Sequence, residues 1–229
     1  MDTPDLKLEN SLILEQEDIA VDLSKKFTDA PLTYRKKTGD RKREIRKLTK
    51  KETARQAIAG MTPETDIFGL TRGQFSLIEL LDAVLDYTGP AKVFLSTWTA
   101  ASADLDDVVR FLKSGKISSA RFLLDFSFQR RQPEVAQAIR EQFGYDAVRV
   151  TRNHAKFFLV ENDTWALTCK TSMNLNTNPR FEDFDITNDP ALFSFMKGIT
   201  DEIFEKHNAR TQARGTASDH WQEWRKLAL

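Results

Sequence analysis

Hydrophobic and polar positions change rhythm twice along this chain. From residue 65 to residue 151, apolar runs of strand length alternate with stretches whose apolar residues recur at helical spacing. The run DIFGLT (66–71) reads as a strand. The stretch FSLIELLDAVLDYTG, apolar at Phe75, Ile78, Leu81 and Leu85, reads as a helix ended by Gly89-Pro90. A second strand is expected over 91–98. Asp104 is placed to cap a helix whose Leu105, Val108, Val109 and Leu112 share one face. A third strand is expected over 117–128, a helix opening at Pro133 follows, and 146–151 reads as a fourth strand. Strands alternating with helices predict an α/β fold with a mixed, mostly parallel sheet flanked by helices.

After Thr151 the helices drop out. HAKFFLVEN and TWALTCKTS read as two strands joined near Asn162-Asp163, which predicts a hairpin, and FEDFDIT (181–187) reads as a further strand. A helix is expected over PALFSFMKGITDEIFEKH. The last stretch has Trp221, Trp224 and Leu227 at helical spacing, a short amphipathic tail. The first 60 residues read differently. A short apolar run between acids, within LENSLILEQEDIAVDLSKKF, fits either a strand or a helix. Residues 34–60 are helix-prone with a narrow apolar stripe (Ile45, Leu48, Ala54, Ile58) that stops at Gly60. Three parts are therefore expected: a charged, largely helical extension over 1–60, a main domain over 61–208, and a tail over 209–229.

Composition narrows the class. The chain has 229 residues, 40% hydrophobic and 30% charged, with one cysteine and three histidines. A single Cys169 excludes an internal disulfide and suits a reducing compartment. With so few thiols and imidazoles no metal or other cofactor is expected. No apolar run approaches the roughly 20 residues that cross a bilayer, so no membrane partner is expected. The acidic N-terminus MDTPDLKLEN lacks a basic-then-apolar leader, and a cytoplasmic location is the expectation.

A net charge of zero hides a polarised extension. Residues 1–24 carry seven acids against Lys7, whereas residues 35–55 carry eleven Lys and Arg against three acids. A segment so dense in cations either lies solvated or neutralises nucleic-acid phosphates. Arg41, Lys42, Arg43, Arg46, Lys47 and Lys50 are the candidate contacts. Arg130 and Arg131 follow the third strand, where ligands collect in α/β sheets, and join them. Trp98, after the second strand, fits a stacked base or, better, the edge of the core.

One histidine keeps chemically useful company. His154 and Lys156 are two residues apart, so a strand would place both on one face, and Ser172 and Asn174 repeat that spacing at the end of the next strand. Glu182, Asp183 and Asp185 arrive on the strand after that. An imidazole can attack phosphorus, a carboxylate on its other nitrogen fixes the tautomer, and Lys and Asn donate to the non-bridging oxygens.

These residues resemble the phospholipase D-like phosphodiesterases, whose pattern is His-x-Lys-x4-Asp, then Gly-Ser-x-Asn, then Glu on the next strand. Here stand His154-Ala155-Lys156, Glu161 at the place of the Asp, Lys170-Thr171-Ser172-Met173-Asn174 with Thr171 at the place of the Gly, and Glu182. The resemblance spans residues 63–206. It implies His154 as nucleophile, Lys156 and Asn174 as phosphate binders, Ser172 as a supporting donor and Glu182 as the orienting acid, with Asp183 or Asp185 as the alternatives. Neither His207 nor His220 begins a second His-x-Lys. The family uses two histidines, so the resemblance implies a homodimer. The expected function is a metal-independent nuclease working through a phosphohistidine. The alternative is an inactive nucleic-acid-binding or interaction module on the same fold.

Overall fold

The computed structural model describes residues 41–47, 53–175 and 180–206. All of them belong to one unit, residues 37–214. Among the described residues eight strands form a single sheet: β1 (Lys42–Lys47), β2 (Thr65–Thr71), β3 (Ala91–Thr97), β4 (Ile117–Asp125), β5 (Val148–Thr151), β6 (Lys156–Glu161), β7 (Ala166–Thr171) and β8 (Glu182–Thr187). Their spatial order is β1-β2-β8-β7-β6-β3-β4-β5.

The fold is the expected mixed α/β arrangement, and the balance of directions is now fixed. β1-β2, β3-β4 and β4-β5 pair in parallel, while the four pairings made by β6, β7 and β8 are antiparallel. The parallel strands have helical crossovers between them: α3 (Ser102–Lys113) joins β3 to β4, and α4 (Phe126–Arg131) with α5 (Pro133–Phe143) joins β4 to β5. β6, β7 and β8 follow one another through short loops, which permits only antiparallel neighbours.

Two apolar layers flank the sheet. The larger packs α1 (Ala54–Ala57), α2 (Leu77–Thr88), α3 and α5 over residues such as Ile67, Leu95, Phe122 and Phe158. The smaller lies under α6 (Pro190–Lys206), where Phe193 and Phe204 meet Phe94, Phe157 and Leu159. β6 therefore buries both faces, Phe158 and Val160 on one side and Phe157 and Leu159 on the other, so its apolar side chains are not confined to the face away from Lys156.

Local chemistry explains where the elements start and stop. Ser76 and Glu79 form a reciprocal capping box at the start of α2, and Gly89 with φ 73° ends it in a backbone region that favours glycine. Three expectations are corrected. Residues 42–47 form a strand instead of a helix: Glu44 and Arg46 turn partly inward and ion-pair with each other, while Ile45, expected in an apolar stripe, is 79% exposed. Pairing with β2 overrides the helical propensity of these residues. The third strand stops at Asp125, whose side chain accepts from Ser127 N at 2.9 Å and starts α4, so Phe126–Phe128 are helical. Asp104 is not a cap either. It lies in the first turn of α3, buried, and Ala101 precedes the helix with no side-chain cap bond. The expected elements in residues 1–40 and the amphipathic tail over 209–229 lie outside the described residues.

Candidate active site

Strand direction brings one end of the sheet together. The carboxyl ends of β2, β3, β4, β5 and β7 and the amino ends of β6 and β8 all lie there, as the registers require. In sheets containing parallel strands this end is where loops leave room for ligands. Lys156 opens β6 opposite Thr171, which closes β7 opposite Phe184.

His154 precedes β6 instead of starting it, in a short exposed loop. Buried polar groups hold that loop on both sides. Asn153 is 6% exposed, and its Nδ2 donates to Ser96 Oγ at 2.9 Å and to Leu123 O at 3.2 Å. Its own backbone N donates to Asp125 Oδ2 at 3.1 Å, and its Oδ1 accepts from Ala155 N at 3.0 Å. Ser96 Oγ donates to Ala155 O at 2.9 Å. The loop backbone is thus tied down immediately before and after His154, while the imidazole stays accessible. The sequence reading missed Asn153, Asp125 and Ser96. The neighbouring pair Asn153-His154 was the only available signal, and nothing in it points to two other strands.

Lys156 Nζ stands 3.0 Å from His154 Nδ1 and 3.3 Å from Nε2, so the ammonium lies against the ring. Burial holds Lys156 below the usual lysine range, and the Glu182 carboxylate acts in the opposite direction. Glu182 is itself bonded to Ser172: the hydroxyl donates to Glu182 Oε2 and accepts from Asp183 N at 3.0 Å. Among the described residues no carboxylate is bonded to His154, whose ring neighbours are Lys156 and Trp98, the latter 5.8 Å away between centroids. Asn174 stands 3.4 Å from Thr97 Oγ1 and shares a narrow cleft with Glu182, Thr71, Ser76 and Met173. Thr171 keeps an ordinary strand conformation: its hydroxyl donates to Asp183 O at 2.5 Å and accepts from Met173 N at 3.0 Å.

The structure also separates two of the candidate acids, Glu182 and Asp185. Asp185 pairs with Arg43 at 3.0 Å and with Lys170 at 3.6 Å, whereas Glu182 lies at the site end beside Ser172.

The basic candidates divide by position. Arg41 precedes β1 at the far end of the sheet, where it bonds Asp66, Asn188 O at 3.0 Å and Pro63 O at 3.2 Å. Lys42 pairs with Glu44 at 2.7 Å, and Arg46 bonds Glu44 and Ala59 O. Lys47 ends β1 opposite Leu70, at the site end, and Lys50 lies outside the described residues. Arg130 and Arg131 are exposed on α4, directly after β4 at that same end. Among the described residues no group of three or more His, Cys, Asp or Glu could hold a metal ion, and no helix is long and apolar enough to cross a membrane.

No protein-family model and no curated protein matches the chain. Among solved structures it is similar to NucT from Helicobacter pylori, with a TM-score of 0.44 at 12% identity, covering 61% of this chain and 96% of that one. It is similar to the polyphosphate kinase of Porphyromonas gingivalis, with a TM-score of 0.45 at 10% identity over 60% of this chain and 26% of that one. Nuc from Salmonella typhimurium, a phospholipase D family member, gives 0.41 at 17% identity over 59% of this chain and 91% of that one. Likeness at this level assigns neither family nor activity.

Proposed function

We propose that the chain is a metal-independent phosphodiesterase of the phospholipase D-like kind, cutting nucleic acid as a homodimer through a phosphohistidine. The observation that carries this reading is the contact of His154 with Lys156 at the sheet end that also holds Ser172, Asn174 and Glu182. An imidazole nitrogen of His154 would attack phosphorus while the bond to the leaving oxygen breaks. Water then attacks the phosphohistidine and frees the imidazole. Lys156 and Asn174 would donate to the non-bridging oxygens, so an arriving phosphate would draw the ammonium off the ring. Glu182 favours the charged form of Lys156 and orients Ser172. The leaving oxygen needs a proton, and the chain has one His-x-Lys motif, so the acid is assigned to His154 of a second copy. The exposed Arg130 and Arg131 at the site end favour nucleic acid as substrate. A cytoplasmic setting belongs to the same reading and rests on the lone buried thiol of Cys169.

One observation favours a second reading, a binding module that does not turn over: Glu182 bonds Ser172 and not His154. Cleavage of labelled single- and double-stranded DNA and RNA in EDTA, wild type beside His154→Ala, separates the two. Cutting by the wild type alone supports the phosphodiesterase. Binding by both without cutting supports the module.

A further inference from the structure

The site end carries a second group of side chains that the hydrolytic steps leave unused. Trp98 follows β3 and is half-buried, its ring 5.8 Å from that of His154 with the planes at 53°. The Arg131 guanidinium lies over the same indole, 4.0 Å from the ring centroid. Two bonds hold it there, from Nη2 to Trp98 O at 3.0 Å and from Nε to Ser127 Oγ at 3.2 Å.

Among the described residues no carboxylate pairs with Arg131. Both of its bonds go to neutral oxygens, with the Asp125 carboxylate one hydrogen bond further on, behind Ser127. The guanidinium is also oriented from the same root as His154. Asp125 accepts from Ser127, which steers Arg131, and from Asn153 N, which fixes the histidine loop. One carboxylate therefore sets the distance between the stacked pair and the imidazole.

We propose that Trp98 and Arg131 form a nucleotide subsite beside His154 that takes an unpaired base and the adjoining phosphate of a single-stranded nucleic acid. The indole with the guanidinium over it offers a cationic aromatic platform for a base, and the remaining N–H groups of Arg131 are donors for a phosphate. A base in a duplex is already stacked and paired, so the platform selects single strands. The location next to the scissile bond rests on the phosphodiesterase reading, but the binding of a base does not.

The test uses the full chain carrying His154→Ala and two fluorescein-labelled oligomers, a single-stranded DNA and its abasic counterpart. The intact oligomer is expected to bind more tightly, and adding Trp98→Leu is expected to cut that preference by about tenfold. Trp98→Phe, which keeps an aromatic face, is expected to restore most of it. Arg131→Ala is expected to reduce the salt dependence of binding by about one phosphate contact. A preference that survives Trp98→Leu, or no binding of either oligomer, overturns the subsite. Wild-type cleavage in EDTA is measured in parallel. Lost preference without cleavage upholds the subsite and removes the hydrolase, and cleavage with unchanged preference does the reverse.

Discussion

The backbone nitrogen of Asn153 donates to Asp125 Oδ2 at 3.1 Å, and this bond joins the start of the histidine loop to the end of β4. Because Asn153 Oδ1 also holds Ala155 N, the residue clamps His154 from both sides. Asn153→Ala leaves several buried groups without partners, at a cost of about 1–3 kcal/mol. Chemical denaturation checks the loss. Hydrogen exchange at the Ala155 amide is expected to accelerate while exchange at central β6 amides stays slow. Equal acceleration throughout β6 would show general destabilisation instead of a loosened loop.

Lys156 gives the site an alkaline limit. Its ammonium is lost at a lower pH than that of a lysine at the ordinary 10.5, because burial disfavours the charge. Phosphate affinity is therefore expected to be present below that folded-state value and to fall as pH rises through it. The Glu182 carboxylate raises the value, so Glu182→Gln is expected to move the fall to lower pH. Orthophosphate binding measured by calorimetry across pH 7 to 10 checks the direction, and a limb that stays put or moves upward would refute the coupling.

Asp104 makes a different pH statement, about stability. Burial, with Asp107 and Glu79 nearby, pushes its carboxyl from 3.8 up to about 6. The folded state thus holds a proton that the unfolded chain has released, and stability falls as pH rises from about 4 to 6. Asp104→Asn removes that loss. The variant is expected to be more stable near pH 7, by on the order of 2–3 kcal/mol at most, and close to wild type near pH 4. Guanidinium titrations at both pH values check it.

Gly69 and Phe184 face each other across β2 and β8, and a Cβ on Gly69 would meet the Phe184 ring at 2.2 Å. The ring is fully buried and packs edge-on to Phe75 at 6.0 Å. Gly69→Ala is expected to destabilise by about 1–3 kcal/mol through overpacking. Combining it with Phe184→Leu is expected to cost less than the sum of the two single changes. An additive double-mutant cycle would show that the two do not compete for space.

Elements with strong local signals were legible. The α2 pattern ends at Gly89, Pro133 opens α5, and the closely spaced strands after Thr151 fold as antiparallel neighbours. β1 was not legible, because Lys-Arg-Glu-Ile-Arg-Lys has no apolar alternation and is made a strand by its partner β2. Arg41 shows the same limit: its charge suggested phosphate, but the fold brings Asp66, Asn188 and Pro63 around it. At the site, the spacing of His154 and Lys156 revealed their proximity. The bond between Ser172 and Glu182 was hidden, since a side chain's choice among neighbours is decided by packing.

The sheet order has a consequence for synthesis. β2 is made early, yet its inner neighbour is β8, the last strand among the described residues, so Ile67 waits for Ile186 before that half of the sheet can join the other. Such pairing between distant segments slows folding and keeps an unfinished edge open on the ribosome. Glu182 sits on that same final strand. The end of the sheet that holds His154 and Lys156 is therefore not assembled piecemeal: Glu182 joins them only when nearly all of this unit has emerged, together with completion of the sheet.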